Sequence, residues 1–237
     1  VIAPQVRRDG RSVAIYDGGR YEAFEPQWFD RDYYREHGAV LHSTTGRGGV
    51  LMLDRTGETW VLRHYHRGGL VARLVYDHYL WTGPERSRAL REWRLLARLH
   101  ESALPVPRPI AARVIRQGPI YQADIVTGLI PDTRPLSSYL RDGNVGDDRW
   151  AAIGAMLRAF HRYGVDHPDL TAHNILLGAD AGEFLVDFDN AGVRAPGRWQ
   201  RSRLERLQRS LRKVALETGT QFDEHAWQLV QRGYDGA

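Results

Sequence analysis

Apolar positions in "DRWAAIGAMLRAFHRYG" recur at Ile153, Met156, Leu157 and Phe160, the i, i+3, i+4, i+7 spacing of a helix with one buried face. The same spacing runs through "SRALREWRLLARLH", where Leu95, Leu96 and Leu99 share their stripe with Glu92. A carboxylate in an apolar stripe needs a partner. Between Ala39 and Ile130 the pattern changes to β-type runs: "AVLHSTTGRGG", "VLMLDRTGE", "TWVLRHYH", "ARVIRQG" and "IYQADIVTGLI". Five strands in a small antiparallel sheet, with one inserted helix, are expected. An irregular start and a short amphipathic helix over "PQWFDRDYYREHG", stopped by Gly38, precede them. After a connector near 128–135 the chain turns mostly helical, interrupted by two short strands, "NILL" and "EFLVDF", around a turn at 178–182. The order predicts an α+β chain in two parts: 1–127 with the extension, the sheet and one helix, and 128–237 with the connector and the helices.

Composition narrows the chemistry. A chain of 237 residues with 42% hydrophobic content has enough material for a substantial core. It has no cysteine, which excludes disulfides, zinc thiolates and cysteine nucleophiles, and fits a reducing compartment. No run of about 18 apolar residues marks a membrane span, and "VIAPQVRRDGRS" lacks the apolar core of a secretory signal. The net charge of +4 is carried almost wholly by arginine, Lys213 being the lone lysine, and favours anionic partners. His64 and His66 alternate on one strand face, but no third ligand lies near them to make a metal site.

The stretch "VDHPDLTAHNILLGADAGEFLVDFDNAG" concentrates candidate chemistry. His167, Asp169 and Asn174 match the spacing H-x-D-L-x-x-x-N, and Asp187 follows across the predicted strand pair. Phosphoryl transfer needs a carboxylate to accept the proton of the attacking hydroxyl, and oxygen ligands for magnesium on the phosphates. Asp169 suits the first role; Asn174 and Asp187 suit the second. His167 is read as a brace for the loop rather than a base.

At these residues the chain resembles the protein-kinase-like superfamily. The resemblance implies a two-lobed fold with a small antiparallel-sheet N-lobe, a reduced helical C-lobe, and ATP with Mg2+. It also implies a cation on the third strand paired with a glutamate on the next helix. Arg63 in "WVLRHYH" stands where a lysine is usual, and Glu92 is its expected partner. Gly46, Gly48 and Gly49 in "TTGRGGV" form an incomplete glycine-rich turn that lets backbone amides approach phosphates. By the same resemblance Thr127, Gly128, Leu129 and Ile130 face the adenine.

Only a short tail follows Asp187, without an A-P-E triplet, so a small-molecule or glycolipid acceptor is expected in place of a protein. The ordered phrases "GRGG", "WVLRHYHRGGL", "DHYLW", "EWRLLARLHESALPVPRP", "HPDLTAHNILL" and "LVDFDNAG" resemble the 3-deoxy-D-manno-octulosonic acid (Kdo) kinase family of lipopolysaccharide assembly over most of 25–234. That resemblance implies phosphorylation of the 4-hydroxyl of a Kdo sugar on a lipid A precursor, by a peripheral protein on the cytoplasmic side of the inner membrane. Asp189 replaces the usual glycine of D-F-G, so glycine-dependent loop flipping is not carried over. Arginines and histidines in "RHYHRGG" are expected to grip the acceptor's carboxylate.

"RAPGRWQRSRLERLQRSLRKVAL" adds an amphipathic pattern. Trp199, Leu204, Leu207, Leu211 and Val214 form its stripe, ringed by arginines, and it reads either as a surface for an anionic membrane or as a face packed on the helical part. No nucleic acid and no obligate protein partner are expected. Two alternatives stay open: an aminoglycoside- or choline-phosphotransferase-like kinase, which has a similar loop, and a non-catalytic pseudokinase binding anionic lipid or nucleic acid through its arginines, which the missing strand lysine favours and the retained Asp169, Asn174 and Asp187 oppose.

Overall fold

A computed structural model describes residues 1–43, 49–55, 57–65, 79–143, 145–178 and 182–236. The fold is α+β. Its residues group into two compact units, 1–102 with 107–129 and 103–106 with 130–237.

The first unit is built on an antiparallel sheet of eight strands, against the five expected. The five runs read from the pattern are present as β3 (Val40–Ser43), β4 (Val50–Arg55), β5 (Glu58–His64), β7 (Pro109–Gln117) and β8 (Ile120–Gly128). The additions are β1 (Pro4–Asp9), β2 (Ser12–Asp17) and the two-residue β6 (Tyr79–Leu80). Strand order is β1-β2-β7-β8-β5-β4-β3, with β6 on β8. All six residues of β1 are exposed, so this strand carries no inward apolar alternation. What holds it is its ladder to β2, from Pro4 opposite Asp17 to Asp9 opposite Ser12.

Register places the side chains that matter. Leu53 lies opposite Trp60 and Leu51 opposite Leu62, so all four occupy one face, where they pack with Trp28 and Phe29. Trp28 and Trp60 meet edge-on at 5.4 Å. The expected helix over "PQWFDRDYYREHG" is split in two: a 3-10 turn, Pro26–Phe29, and α1 (Arg31–Glu36). Asp30 separates them because its carboxylate caps α1, accepting from the amides of Asp32 and Tyr33. Side chains alternate along β5, so Arg63 points away from the Trp60 and Leu62 face, towards α2 (Arg88–Glu101).

In the second unit, α4 (Asp147–Tyr163) buries Ile153, Met156, Leu157 and Phe160 as its spacing predicts. It packs on α6 (Glu224–Asp235) across two glycines. A Cβ at Gly154 would run into the Val230 carbonyl, and one at Gly233 into the Ala151 carbonyl, so the helices touch backbone to backbone. Helix α4 ends at Gly164, whose φ of +91° is the left-handed cap that glycine adopts without strain. The short pairs follow: β10 (Val165–Asp166) with β13 (Gly192–Val193), and β11 (Ile175–Gly178) between β12 (Glu183–Leu185) and β9 (Thr133–Pro135). Helices α3 (Leu136–Arg141) and α5 (Trp199–Thr218) complete this unit.

Candidate active site

The loop between β10 and β11 carries His167, Asp169 and Asn174, and it is pinned at several points. The Leu170 amide donates to the His167 carbonyl at 3.2 Å, and the Asn174 amide to the Thr171 carbonyl at 3.1 Å. Buried Leu170 and Ala172 anchor its middle. The Ala172 amide donates to Ser210 Oγ on α5 at 3.1 Å, while the Ala172 carbonyl accepts from the Ser137 amide at 3.0 Å. Asp169 is held outward, half-exposed, by these anchors on either side.

The strand pair brings the backbone of Asn174 beside that of Val186, the residue before Asp187. Ile175 faces Leu185 in the ladder, and just outside it the Val186 amide donates to the Asn174 carbonyl at 3.0 Å. The next residue is Asp187, with φ of +64°, a left-handed conformation uncommon for a residue with a side chain. Asn174 Nδ2 donates to the Asp169 backbone carbonyl at 2.9 Å, which orients its amide and leaves Oδ1 for another partner.

His167 ties these pieces together. It is buried, its Nε2 donates to the Val186 carbonyl at 3.1 Å, and it packs edge-on to Phe188 at 5.0 Å. Burial lowers its pKa, against the opposing pull of the Val186 carbonyl and the charges of Asp187 and Asp169. A neutral ring with Nε2 protonated leaves Nδ1, buried and without a partner, unprotonated. The ring joins the stretch before Asp169 to the stretch before Asp187, and both carboxylates act on it.

Two arginines of α5 reach this loop, a contact absent from the sequence reading. Arg203 Nε donates to Asp166 at 2.6 Å, and Arg206 pairs with the Asp169 carboxylate. Arg194 adds a second contact to Asp166 at 2.7 Å. Burial would raise the Asp166 pKa, but the bonds from Arg203 and Arg194 outweigh it and hold the carboxyl below its usual range. A signal was present in the spacing: Asp166 and Asp169 are three apart, as are Arg203 and Arg206 one helical turn apart. The apolar stripe of α5 is largely inward, with Leu207, Leu211 and Val214 buried and Trp199 and Leu204 half-buried. The packed-face alternative for this helix is the one observed.

In the first unit, Arg63 Nη2 lies 2.6 Å from both oxygens of Glu92, which is buried. Tyr65 Oη also donates to Glu92, and the Arg63 guanidinium stacks 5.0 Å from the Tyr65 ring centre. The amides of Gly128 and Leu129 are taken by the carbonyls of Arg108 and Thr59, at 2.9 and 2.8 Å. The amide of Ile130 donates to no acceptor among the described residues. Thr127 is paired within the sheet, opposite Val61 and Pro109. Gly49 accepts from Arg31 Nη2 at 2.6 Å, whereas Gly46 and Gly48 lie outside the described residues. So do His66 to Gly69 of "RHYHRGG"; His64 is bonded to Asp124 at 2.6 Å.

The lipopolysaccharide kinase (Kdo/WaaP) family model matches residues 31–234. The chain belongs to that family. Among curated relatives, it is similar to a 3-deoxy-D-manno-octulosonic acid kinase of Vibrio cholerae serotype O1, with 34% identity over 226 residues, covering 95% of this chain and 96% of the relative. A protein of the same description from Actinobacillus succinogenes is 36% identical over 217 residues, covering 89% and 90% of the two chains. One from Stenotrophomonas maltophilia is 36% identical over 233 residues, covering 97% and 93%.

No helix among the described residues is long and apolar enough to cross a membrane. Magnesium needs only one or two protein oxygens, since it keeps water and phosphate as its other ligands. The carboxylate of Asp187 and the free Oδ1 of Asn174 are hard oxygen donors of that kind, and they fit it.

Proposed function

We propose that this protein transfers the γ-phosphoryl group of ATP to the 4-hydroxyl of a Kdo sugar on a lipid A precursor, at the cytoplasmic face of the inner membrane. The observation that carries the reading is the tethering of Asp169, Asn174 and Asp187 through His167 and the Val186 backbone, in a chain of this family. Asp169 takes the proton of the acceptor hydroxyl as its oxygen bonds to the γ-phosphorus. The bond from that phosphorus to the β–γ bridging oxygen breaks, ADP leaves with the electron pair, and the proton passes from Asp169 to solvent. Asn174 and Asp187 would hold magnesium, which when bound would draw charge off the phosphate oxygens. Arg63, fixed by Glu92, contacts the phosphates with a charge that does not titrate near neutrality, and the Ile130 amide bonds the adenine.

The test is mass spectrometry of a Kdo-lipid A precursor incubated with protein, ATP and magnesium. One added phosphate is expected, with no addition to choline or aminoglycosides offered in parallel. Asp169→Asn should make no product while binding ATP as the wild type does, because it loses proton acceptance and keeps the phosphate contacts. Product formed by Asp169→Asn at the wild-type rate refutes the role of this residue. Phosphate on choline or an aminoglycoside but not on the lipid refutes the acceptor.

A further inference from the structure

A basic pocket of about 340 Å³ opens beside the loop that carries Asp169. Thr171 and His173 of the loop line one side, and Arg206, Arg209, Lys213 and Glu217 of α5 line the other. The wall between them is fixed by the bond from the Ala172 amide to Ser210 Oγ. Three cations face one acid here, and Glu217 is only loosely engaged, 3.7 Å from Lys213. Arg209 is exposed and makes no ion pair among the described residues. Arg206 stands at the boundary: one end of its guanidinium holds Asp169, and its Nε is buried without an acceptor. The Arg206 side chain is 42% exposed, so a charged group in the pocket can meet the rest of its guanidinium.

We propose that this pocket receives the carboxylate of the acceptor sugar, with Arg209 as its principal contact and Arg206 bridging that carboxylate to Asp169. The proposal rests on the functional reading above and names the site by which the acceptor is recognised. An octulosonic acid carries its carboxylate on the same sugar as the hydroxyl to be phosphorylated. The group recognised must then sit within one sugar of the base, and this pocket shares Arg206 with Asp169. Phosphates of the lipid lie on other sugars, farther from the reacting oxygen. An arginine fork suits a planar carboxylate, which accepts two parallel N–H bonds. The geometry also gives selectivity, because a neutral sugar leaves Arg209 without a counter-charge.

The experiment compares wild type with Arg209→Gln and Arg209→Lys on three acceptors: the Kdo-lipid, the same lipid with the Kdo carboxylate converted to its amide, and the same lipid with its lipid A phosphates removed. Arg209→Gln should raise the acceptor KM about 10- to 100-fold, with kcat and the KM for ATP near wild type. Arg209→Lys should recover part of the loss. Wild type should lose a similar factor on the amide, and Arg209→Gln should lose little more, because the interaction is already gone. Equal further losses by both proteins on the amide overturn the assignment. An Arg209→Gln effect that vanishes on the dephosphorylated lipid overturns it in favour of a phosphate site. Titration of free Kdo onto the protein without nucleotide separates this proposal from the functional reading. If no acceptor is phosphorylated, salt-sensitive Kdo binding lost in Arg209→Gln still supports the pocket, and absence of Kdo binding to wild type overturns it.

Discussion

The Arg63 and Glu92 pair gives a quantitative test of how the strand arginine works. Glu92 is 4% exposed, and Arg63 Nη2 lies 2.6 Å from both of its oxygens. Withdrawing one partner from a buried ion pair costs about 3–5 kcal/mol. The Arg63 side chain is 21% exposed, so the lower end, about 3 kcal/mol, is expected for Arg63→Met. Glu92→Met should cost less, about 1–2 kcal/mol, because an arginine on a partly open strand can turn its head to water. The double variant should resemble the milder single one, since both charges of the pair are gone, giving a coupling energy of roughly 2–3 kcal/mol. Hydrogen exchange of α2 peptides reads this locally. A loss of about 3 kcal/mol speeds exchange roughly a hundredfold in Arg63→Met. Exchange within threefold of wild type would mean that the pair is solvated and that Arg63 is not fixed by Glu92.

The remaining predictions concern the second unit. Gly233→Ala would force a methyl group into the Ala151 carbonyl and should cost about 2–3 kcal/mol, seen as a lower urea midpoint, whereas Gly192→Ala, with open space around its Cβ, should be near neutral. His161 is buried between Tyr234 and Trp199, and burial pushes its pKa down to about 4 from 6.5. The unfolded chain therefore binds the proton first as pH falls. Stability present above pH 6.5 is lost progressively down to about 4, and the loss at pH 5 is about 2 kcal/mol relative to pH 7. Urea unfolding at the two pH values should show a loss about 2 kcal/mol smaller in His161→Gln than in wild type, the remainder coming from other buried histidines such as His167; equal losses in the two proteins would refute it.

How much of this was legible follows from what each element shows on its surface. Helix α4 and strands β4 and β5 bury alternate or periodic apolar positions, so pattern alone located them. Strand β1 has no buried residue, and pattern reading passed over it. The turn chemistry was nonetheless on view: Asp9-Gly10, with Gly10 at φ of +52°, is a strong hairpin signal between "PQVRRD" and "SVAIYD". Gly154 and Gly233 looked like ordinary helix residues, because close approach of two helices depends on which faces meet, and that is decided far apart in the sequence. In the site, the spacing of His167, Asp169 and Asn174 was enough to name a loop. The left-handed Asp187 and the His167 bond to Val186 were not readable, since both depend on a backbone path across the strand pair.

Helix α5 shows how the same residues support two different readings. As a string it is an apolar stripe ringed by cations, the pattern of a membrane-surface helix. In the fold the stripe is used against its own unit, and Arg203 and Arg206 turn to Asp166 and Asp169. The chain has almost no lysine, and at these positions the distinction has consequences. Arg203 approaches Asp166 through both Nε and Nη2, at 2.6 and 3.4 Å, a fork that a lysine ammonium cannot reproduce. The loop bearing Asp169 thus takes its position from α5 as well as from its own turns. A one-residue slip of α5 would rotate Arg203, Arg206 and Ser210 off the loop together, by about 100°. Charge on this helix therefore has two destinations. Arg203 and Arg206 set the loop, while Arg198, Arg201, Arg209, Arg212 and Lys213 stay exposed.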